Sequence, residues 1–305
     1  MIAALLAPKA LVLYTFAASA TFVHFRGQVR HRFWRQLTDH STFMAPYNAL
    51  VYLFSAVPNT PMQEVGRFPE LKVLREHWTE IRDEVLALHA GGGIGVADGR
   101  NDLGFNSFFK TGWKRFYLKW YGAYLPSARA RCPRTVALLE RAPSVKAAMF
   151  ALLGPGARLP QHRDPFAGSL RYHLGLVTPN SDACRIWIDG AEYAWRDGED
   201  VLFDETYIHT AENQTAQARI ILFCDVERPL KTRLARAINR GFARWVAAAA
   251  ASRNREGEKL GALNHAFKYV YAVRLLGKRM KAENERLYYV FKYVLFGALI
   301  YWIVT

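Results

Sequence analysis

Three side chains in one stretch have the types and spacing of a metal site. His162 and Asp164 are two residues apart, and His209 follows in the same stretch, Leu159 to Pro229. On an extended segment, side chains two apart share one face, so both reach one ion. His209 can return on a neighbouring strand. Two imidazoles and one carboxylate on one side of a metal form the facial triad of non-haem Fe(II) oxygenases, with positions left open for a co-substrate and dioxygen.

The elements that must position these residues are short strands. Ser169 to Val177 alternates, with Leu170, Tyr172, Leu174 and Leu176 on one face and Arg171, His173 and Gly175 on the other. The apolar face packs on a barrel wall or core and turns Arg171 and His173 toward a cavity. Arg219 lies at the start of a second apolar run, ARIILFC. A guanidinium there suits a bidentate grip on a carboxylate, which a lysine makes less well. Taken singly, each residue has a plainer reading. A His-x-Asp pair is commonly a turn with an Asx-type hydrogen bond, His173 a satisfied core histidine, Arg219 a surface charge. Their joint occurrence among alternating strands favours the site.

The words PRTVALLE, LLGPGARLPQHRDP, LRYHLGL, WRDGE, FDETYIH and DVERP occur in that order between Pro133 and Pro229. This stretch resembles the aspartyl/asparaginyl β-hydroxylase family of Fe(II)/2-oxoglutarate dioxygenases. The resemblance implies a mainly β catalytic core, a double-stranded β-helix or jelly roll, with helical flanks. It implies that His162, Asp164 and His209 bind Fe(II). Arg219 would pair with the distal carboxylate of 2-oxoglutarate, and Arg171 and His173 would line the co-substrate end. Some members that hydroxylate protein domains have glycine where this chain has Asp164, so a full triad is expected here. At Ala151 the chain departs from a serine that helps hold 2-oxoglutarate in some members.

The flanks, VHFRGQVRHRFWRQLTDHSTFMAPYNALVYLFSAVPNTP and the apolar C-terminus, look like the membrane-bound branch of the family. That branch is typified by bacterial lipid A 2-hydroxylase. The resemblance implies hydroxylation at C2 of an acyl chain on lipid A at the inner leaflet, a modification of lipopolysaccharide. Alternatives are hydroxylation of another acylated lipid such as an ornithine lipid, or a non-catalytic membrane lipid-binding protein. An intact set of His162, Asp164, His209 and Arg219 argues against the last, because a decayed site should have lost one of them.

Composition is consistent with an anionic partner. The formal net charge is +15, which fits anionic lipid or nucleic acid equally. Cys132, Cys184 and Cys224 are odd in number and widely spaced, which argues against a disulfide framework or a zinc site and for a reducing compartment.

Along the chain, 1–25 reads as an N-terminal membrane anchor, apolar except for Lys9 and His24. A cleaved signal peptide competes, through Ala18-Ser19-Ala20. The arginines that follow, Arg26, Arg30, Arg32 and Arg35, favour an uncleaved anchor with the basic flank cytoplasmic. Residues 26–130 form a helical, membrane-proximal segment. Within it, Phe43 to Val57 is either a membrane-surface piece or buried core, and Leu71, Leu74, Trp78, Ile81 and Val85 recur as on one helix over Pro69 to Leu88. Gly91 to Gly95 lacks the residues of a phosphate loop and reads as a flexible loop near a substrate opening. Gly112 to Gly122 interleaves Lys114, Arg115 and Lys119 with aromatic residues. It reads as a strand with outward lipid-phosphate contacts, in preference to a single-stranded nucleic-acid site. The jelly-roll core takes 131–230. Residues 231–286 supply basic amphipathic membrane-surface helices, with Leu234, Ile238, Phe242 and Trp245 on one face and Arg233, Arg236, Arg240 and Arg244 on the other. Residues 251–258 read as a linker. Residues 287–305 read as a C-terminal transmembrane anchor, which with the first span places the catalytic domain on the cytoplasmic side of a bacterial inner membrane. No nucleic-acid partner is expected.

Overall fold

The computed structural model describes residues 8–95, 105, 108–247 and 249–304. Its strands are β1 (Met62–Gln63), β2 (Trp113–Trp120), β3 (Ala123–Tyr124), β4 (Val145–Leu153), β5 (Arg158–His162), β6 (Ser169–Val177), β7 (Cys184–Ile188), β8 (Ala191–Ala194), β9 (Asp200–Phe203), β10 (His209–Asn213) and β11 (Arg219–Glu227). The principal helices are α1 (Pro8–Phe25), α2 (Ala45–Leu53), α3 (Trp78–Ala90), α4 (Pro133–Glu140), α5 (Arg233–Phe242), α6 (Ala262–Glu283) and α7 (Glu285–Val304).

The strands form two antiparallel sheets, ordered β1-β9-β6-β11-β4-β2-β3 and β5-β10-β7-β8. From β4 to β11 the chain passes repeatedly between the two sheets, which is the jelly-roll arrangement. The reason is in the sequence. β6 and β11 are nine-residue strands that bury almost completely, with Leu170, Tyr172, Leu174 and Leu176, and Ile220, Leu222, Cys224 and Val226, on their apolar faces. The sheet extends past the expected core of 131–230, because β1 and β2 come from earlier in the chain.

The helix expected over Pro69 to Leu88 is broken at His77, whose Nδ1 donates to the Val73 carbonyl (2.9 Å). Its stripe survives the break, with Leu71, Leu74, Ile81 and Val85 fully buried. α4 begins at a proline and has no cap of its own. Glu84 of α3 supplies it, accepting from the Arg134 and Thr135 amides (2.9 and 2.8 Å).

Four expectations need correction. Among the described residues, no helix is long and apolar enough to cross a membrane. The described helices therefore do not support the anchors expected at 1–25 and 287–305; Met1–Ala7 and Thr305 lie outside the described residues. Within its described residues α1 carries Lys9 and His24. α7 opens with Glu285 and Arg286 and is interrupted by Lys292. The basic flank after α1 is also not a free one. Arg26 is buried between the rings of Tyr52 and Tyr207 (3.9 and 3.8 Å) and pairs with Asp204 (2.7 Å). Asp204 is held equally by Arg228 (2.8 Å). The two guanidiniums overcome the opposing effect of burial and hold its carboxyl far below the usual range. Beyond Arg26, the Gln28 and Val29 amides donate to Asp189 (3.0 and 2.8 Å). At Gly27 a Cβ would lie 2.7 Å from that carboxylate, so a larger residue would have to displace it.

Of the three basic residues of β2, Lys114 is exposed as expected, but Arg115 and Lys119 are taken up by the protein itself. Arg115 is buried and donates to Ser252 Oγ (2.8 Å) and the Arg253 carbonyl (3.1 Å), and Lys119 donates to the Val145 carbonyl (2.8 Å). The same contacts show that 251–258 is not a linker. The Asn254 side chain accepts from the Tyr117 amide (2.7 Å) and donates to the Tyr117 carbonyl (2.8 Å), as a neighbouring strand would. Phe43 to Val57 is core on one side only: α2 buries Ala45, Asn48, Val51 and Tyr52, while Phe43 and Leu53 are exposed.

Candidate active site

The cavity between the sheets is lined from both, by Leu159, His162, Ile186, His209 and Ala211 on one side and Trp113, Arg171, His173, Phe203, Arg219, Ile221 and Phe223 on the other. Its free interior space is small, ≈ 40 Å³, enough for a few water-sized groups between the side chains. β11 faces it with alternate residues, and β6 contributes Arg171 and His173 as the alternation predicts.

His162 ends β5 and His209 begins β10, and the two are direct register partners. Their rings lie 4.2 Å apart. Each ring donates Nδ1–H to a carbonyl two residues earlier, His162 to Pro160 (2.7 Å) and His209 to Tyr207 (3.0 Å). That fixes the tautomer and leaves both Nε2 atoms as ligands. Asp164 completes the group, and ligand atoms of the three all lie within 4.8 Å of one another. Burial lowers the pKa of His162, and burial together with His162 pushes His209 down to about 3. Both imidazoles are therefore neutral, as metal ligation requires. Burial opposes ionisation of Asp164, but the Arg171 guanidinium outweighs it and holds the carboxyl below its ordinary value. Two neutral imidazoles and a carboxylate fit Fe(II) by donor chemistry.

Arg171 differs from the expectation of a guanidinium open to a co-substrate. It is bound by three carboxylates: Asp164 (2.8 Å), Asp225 (3.0 Å) and Glu205. Glu205 also accepts from Ser169 Oγ (2.7 Å), and Asp225 from Tyr121 Oη (2.9 Å). Arg171 thus orients Asp164. Glu205 and Asp225 stand in the words FDETYIH and DVERP, but nothing local marks them as partners of Arg171.

Arg219 is the opposite case. It is 3% exposed, and no described carboxylate pairs with it. Its Nε has no hydrogen-bond partner, and its guanidinium lies 4.3 Å from the Trp195 ring. Burial pushes its pKa down to about 10. His173 is buried among Phe203, Phe223 and Trp195, and neither ring nitrogen has a partner. Burial holds it well below its ordinary pKa. An orphaned buried cation and an orphaned imidazole in one cavity are polar groups arranged for a ligand. Ala151 lies on β4 opposite Ile221, with no hydroxyl to add.

The loop carrying the ligands is held from outside. Arg35 donates to the Gln161 carbonyl (2.6 Å), His40 Nε2 to that of Arg163 (2.7 Å) and Asn48 Nδ2 to that of Pro165 (2.9 Å). Asn48 Oδ1 then accepts from the Ala167 amide (3.0 Å). Alternate carbonyls on either side of His162 and Asp164 are thus fixed by the N-terminal helices. The sequence offered no signal for this clamp. The Gly91 to Gly95 loop, by contrast, lines a separate polar cavity with Arg115, Arg131, Asn254 and Arg255.

The pattern of the aspartyl/asparaginyl β-hydroxylase family matches residues 75–229, half of the chain. The chain belongs to that family. It is 33% identical to the ornithine lipid ester-linked acyl 2-hydroxylase of Rhizobium tropici, over 59% of this chain and 64% of that one. It is 28% identical to the aspartyl/asparaginyl β-hydroxylase of Homo sapiens, over 55% of this chain and 22% of that one. The chain thus spans less than two thirds of the length of these relatives. A prolyl-4-hydroxylase of Pseudomonas putida overlaps 51% of the chain at 17% identity, with a TM-score of 0.33. That overlap is loose, so the fold rests on the strand pairing itself. Arg35, His40 and Asn48 lie outside the family match, although they grip its metal-ligand loop.

Proposed function

We propose that this chain is an Fe(II)/2-oxoglutarate-dependent hydroxylase of an acyl chain on an anionic membrane lipid. One observation carries the reading: a single cavity holds His162, Asp164 and His209 together with a buried, counterion-free Arg219. His162, Asp164 and His209 would hold the metal, and Arg219 a carboxylate of 2-oxoglutarate. When bound, iron with that co-substrate supplies the activation of dioxygen needed to hydroxylate an unactivated C–H bond. The protein's own part is positional. Arg171 keeps Asp164 ionised and aimed, His173 offers a neutral ring nitrogen, and Phe105, Phe108 and Trp113 wall the cavity against water.

The lipid substrate is supported by the Rhizobium relative, whose name specifies an ester-linked acyl chain. Within that class we favour C2 of an acyl chain on lipid A, from the resemblance of the flanks. Ornithine lipid is the second reading, favoured by that same relative. Mass spectrometry of total lipids from cells with and without the gene tests both. One added oxygen on lipid A is expected; the same gain confined to ornithine lipid moves the assignment there, and no gain on any acyl lipid overturns it. Purified protein should form succinate only with Fe(II) and 2-oxoglutarate present.

A further inference from the structure

The helical layer that clamps the metal-ligand loop has an outer face. Phe22 on α1, Leu53 at the end of α2, Leu234 and Ile238 on α5 and Trp245 just beyond it are exposed, Leu53, Leu234 and Trp245 by 70%, 72% and 75%. The segments that carry the first three are neighbours. The Phe22 ring lies 6.1 Å from that of Tyr52, next to Leu53, and the Lys231 amide donates to the Phe54 carbonyl (2.8 Å), bringing the end of α2 beside the start of α5.

The inner side of α5 is fully occupied. Asn239 donates to the Gly168 carbonyl (3.0 Å) and accepts from Tyr47 Oη (2.6 Å). Phe242, expected on the same apolar face as Leu234, instead stacks on Tyr47 and Phe166 (4.4 and 5.1 Å). The apolar stripe is therefore split, and its outer half has no cover among the described residues. Lys231, Arg233 and Arg244 are exposed around it, and α5 contains no acidic residue.

An apolar stripe bordered by lysine and arginine matches the two parts of an anionic bilayer surface, acyl chains below and phosphates above. A second copy fits worse, since a two-fold contact would set these cations against their own copies. Nucleic acid would leave Leu53, Leu234 and Ile238 without a partner. We propose that this face docks the protein on an anionic bilayer, lying in the headgroup region without crossing it. This deepens the lipid-substrate reading, on which it rests for its purpose but not for its geometry.

The test uses the full chain with an environment-sensitive dye on a cysteine at position 238 (Ile238→Cys), at position 53 (Leu53→Cys) or, as control, at exposed position 72 (Lys72→Cys). The three native cysteines are buried. With vesicles of phosphatidylglycerol and phosphatidylcholine in equal parts, the dyes at 238 and 53 should shift to the blue and be quenched by lipid-borne quencher. The dye at 72 should not. Added salt, or Arg233→Glu with Arg244→Glu, should weaken vesicle affinity on the order of tenfold, with unchanged melting temperature and Co(II) binding. Dyes at 238 and 53 that behave like the one at 72, or equal affinity for pure phosphatidylcholine, overturn the proposal. So does a dimer in solution that Leu234→Glu dissociates. Hydroxylation of detergent-dispersed lipid is measured separately: docking without turnover would sink the hydroxylase reading alone, and turnover without docking this one alone.

Discussion

Two buried arginines line one cavity from adjacent strands, and their surroundings are opposite. Arg171 is surrounded by Asp164, Glu205 and Asp225, while Arg219 has an indole and no counterion. An isolated buried charge is costly to maintain. The protein has satisfied one such charge from its own chain and left the other without a counterion among the described residues. The difference separates positioning from binding without reference to any ligand, and it is open to direct attack.

The largest effect should come from the ligand that Arg171 holds. Asp164→Ala should abolish nearly all succinate formation at saturating iron, as should His162→Ala and His209→Ala. The vacated position would be filled by water with nothing arranged to hold it. Normal turnover in Asp164→Ala would leave a two-histidine site and remove the purpose given to Arg171.

Next is Arg171 itself. Arg171→Met leaves the Asp164, Glu205 and Asp225 carboxyl groups without their cation, and losing one partner of a largely buried charged cluster costs about 3–5 kcal/mol. Urea unfolding should register that loss. A midpoint unchanged from wild type would show that the carboxylates reorganise without the cation.

Arg219→Met should do the reverse. It removes a buried cation with no partner, so stability should hold or rise by about 1 kcal/mol. Affinity for 2-oxoglutarate should fall by roughly 100-fold, the order expected when a charged hydrogen-bond partner is lost. Isothermal calorimetry at fixed metal reads the second, and urea unfolding the first. Destabilisation matching that of Arg171→Met would erase the contrast between the two sites.

The smallest effect concerns the outer clamp. Asn48→Ala removes two hydrogen bonds to the ligand loop and should weaken Co(II) binding by about tenfold, the low end for residues that support metal ligands. The Co(II) absorption spectrum would move with it if the ligand geometry relaxes. Unchanged affinity and spectrum would limit Asn48 to fold stability.

His162 and Asp164 were legible because alternation is local: a strand's period of two sets which side chains share a face, whatever it pairs with. The inward aspect of Arg171 and His173 follows from the same rule. What Arg171 does inside was hidden, because its partners lie one strand away on β11 and in the turn before β10. The clamp by Arg35, His40 and Asn48 joins helices to a loop more than a hundred positions away, so no short window contains it. Sequence pattern misreads Arg26 because a basic residue after an apolar segment looks the same whether it faces water or a buried aspartate. The sequence by itself determined the donor atoms, the strand faces that carry them and the basic character of α5. Only the tertiary structure decided which arginine is satisfied, which awaits a partner and which half of α5 stays uncovered. Side-chain type and period are properties of a segment, whereas charge compensation and burial depend on residues that folding alone brings near.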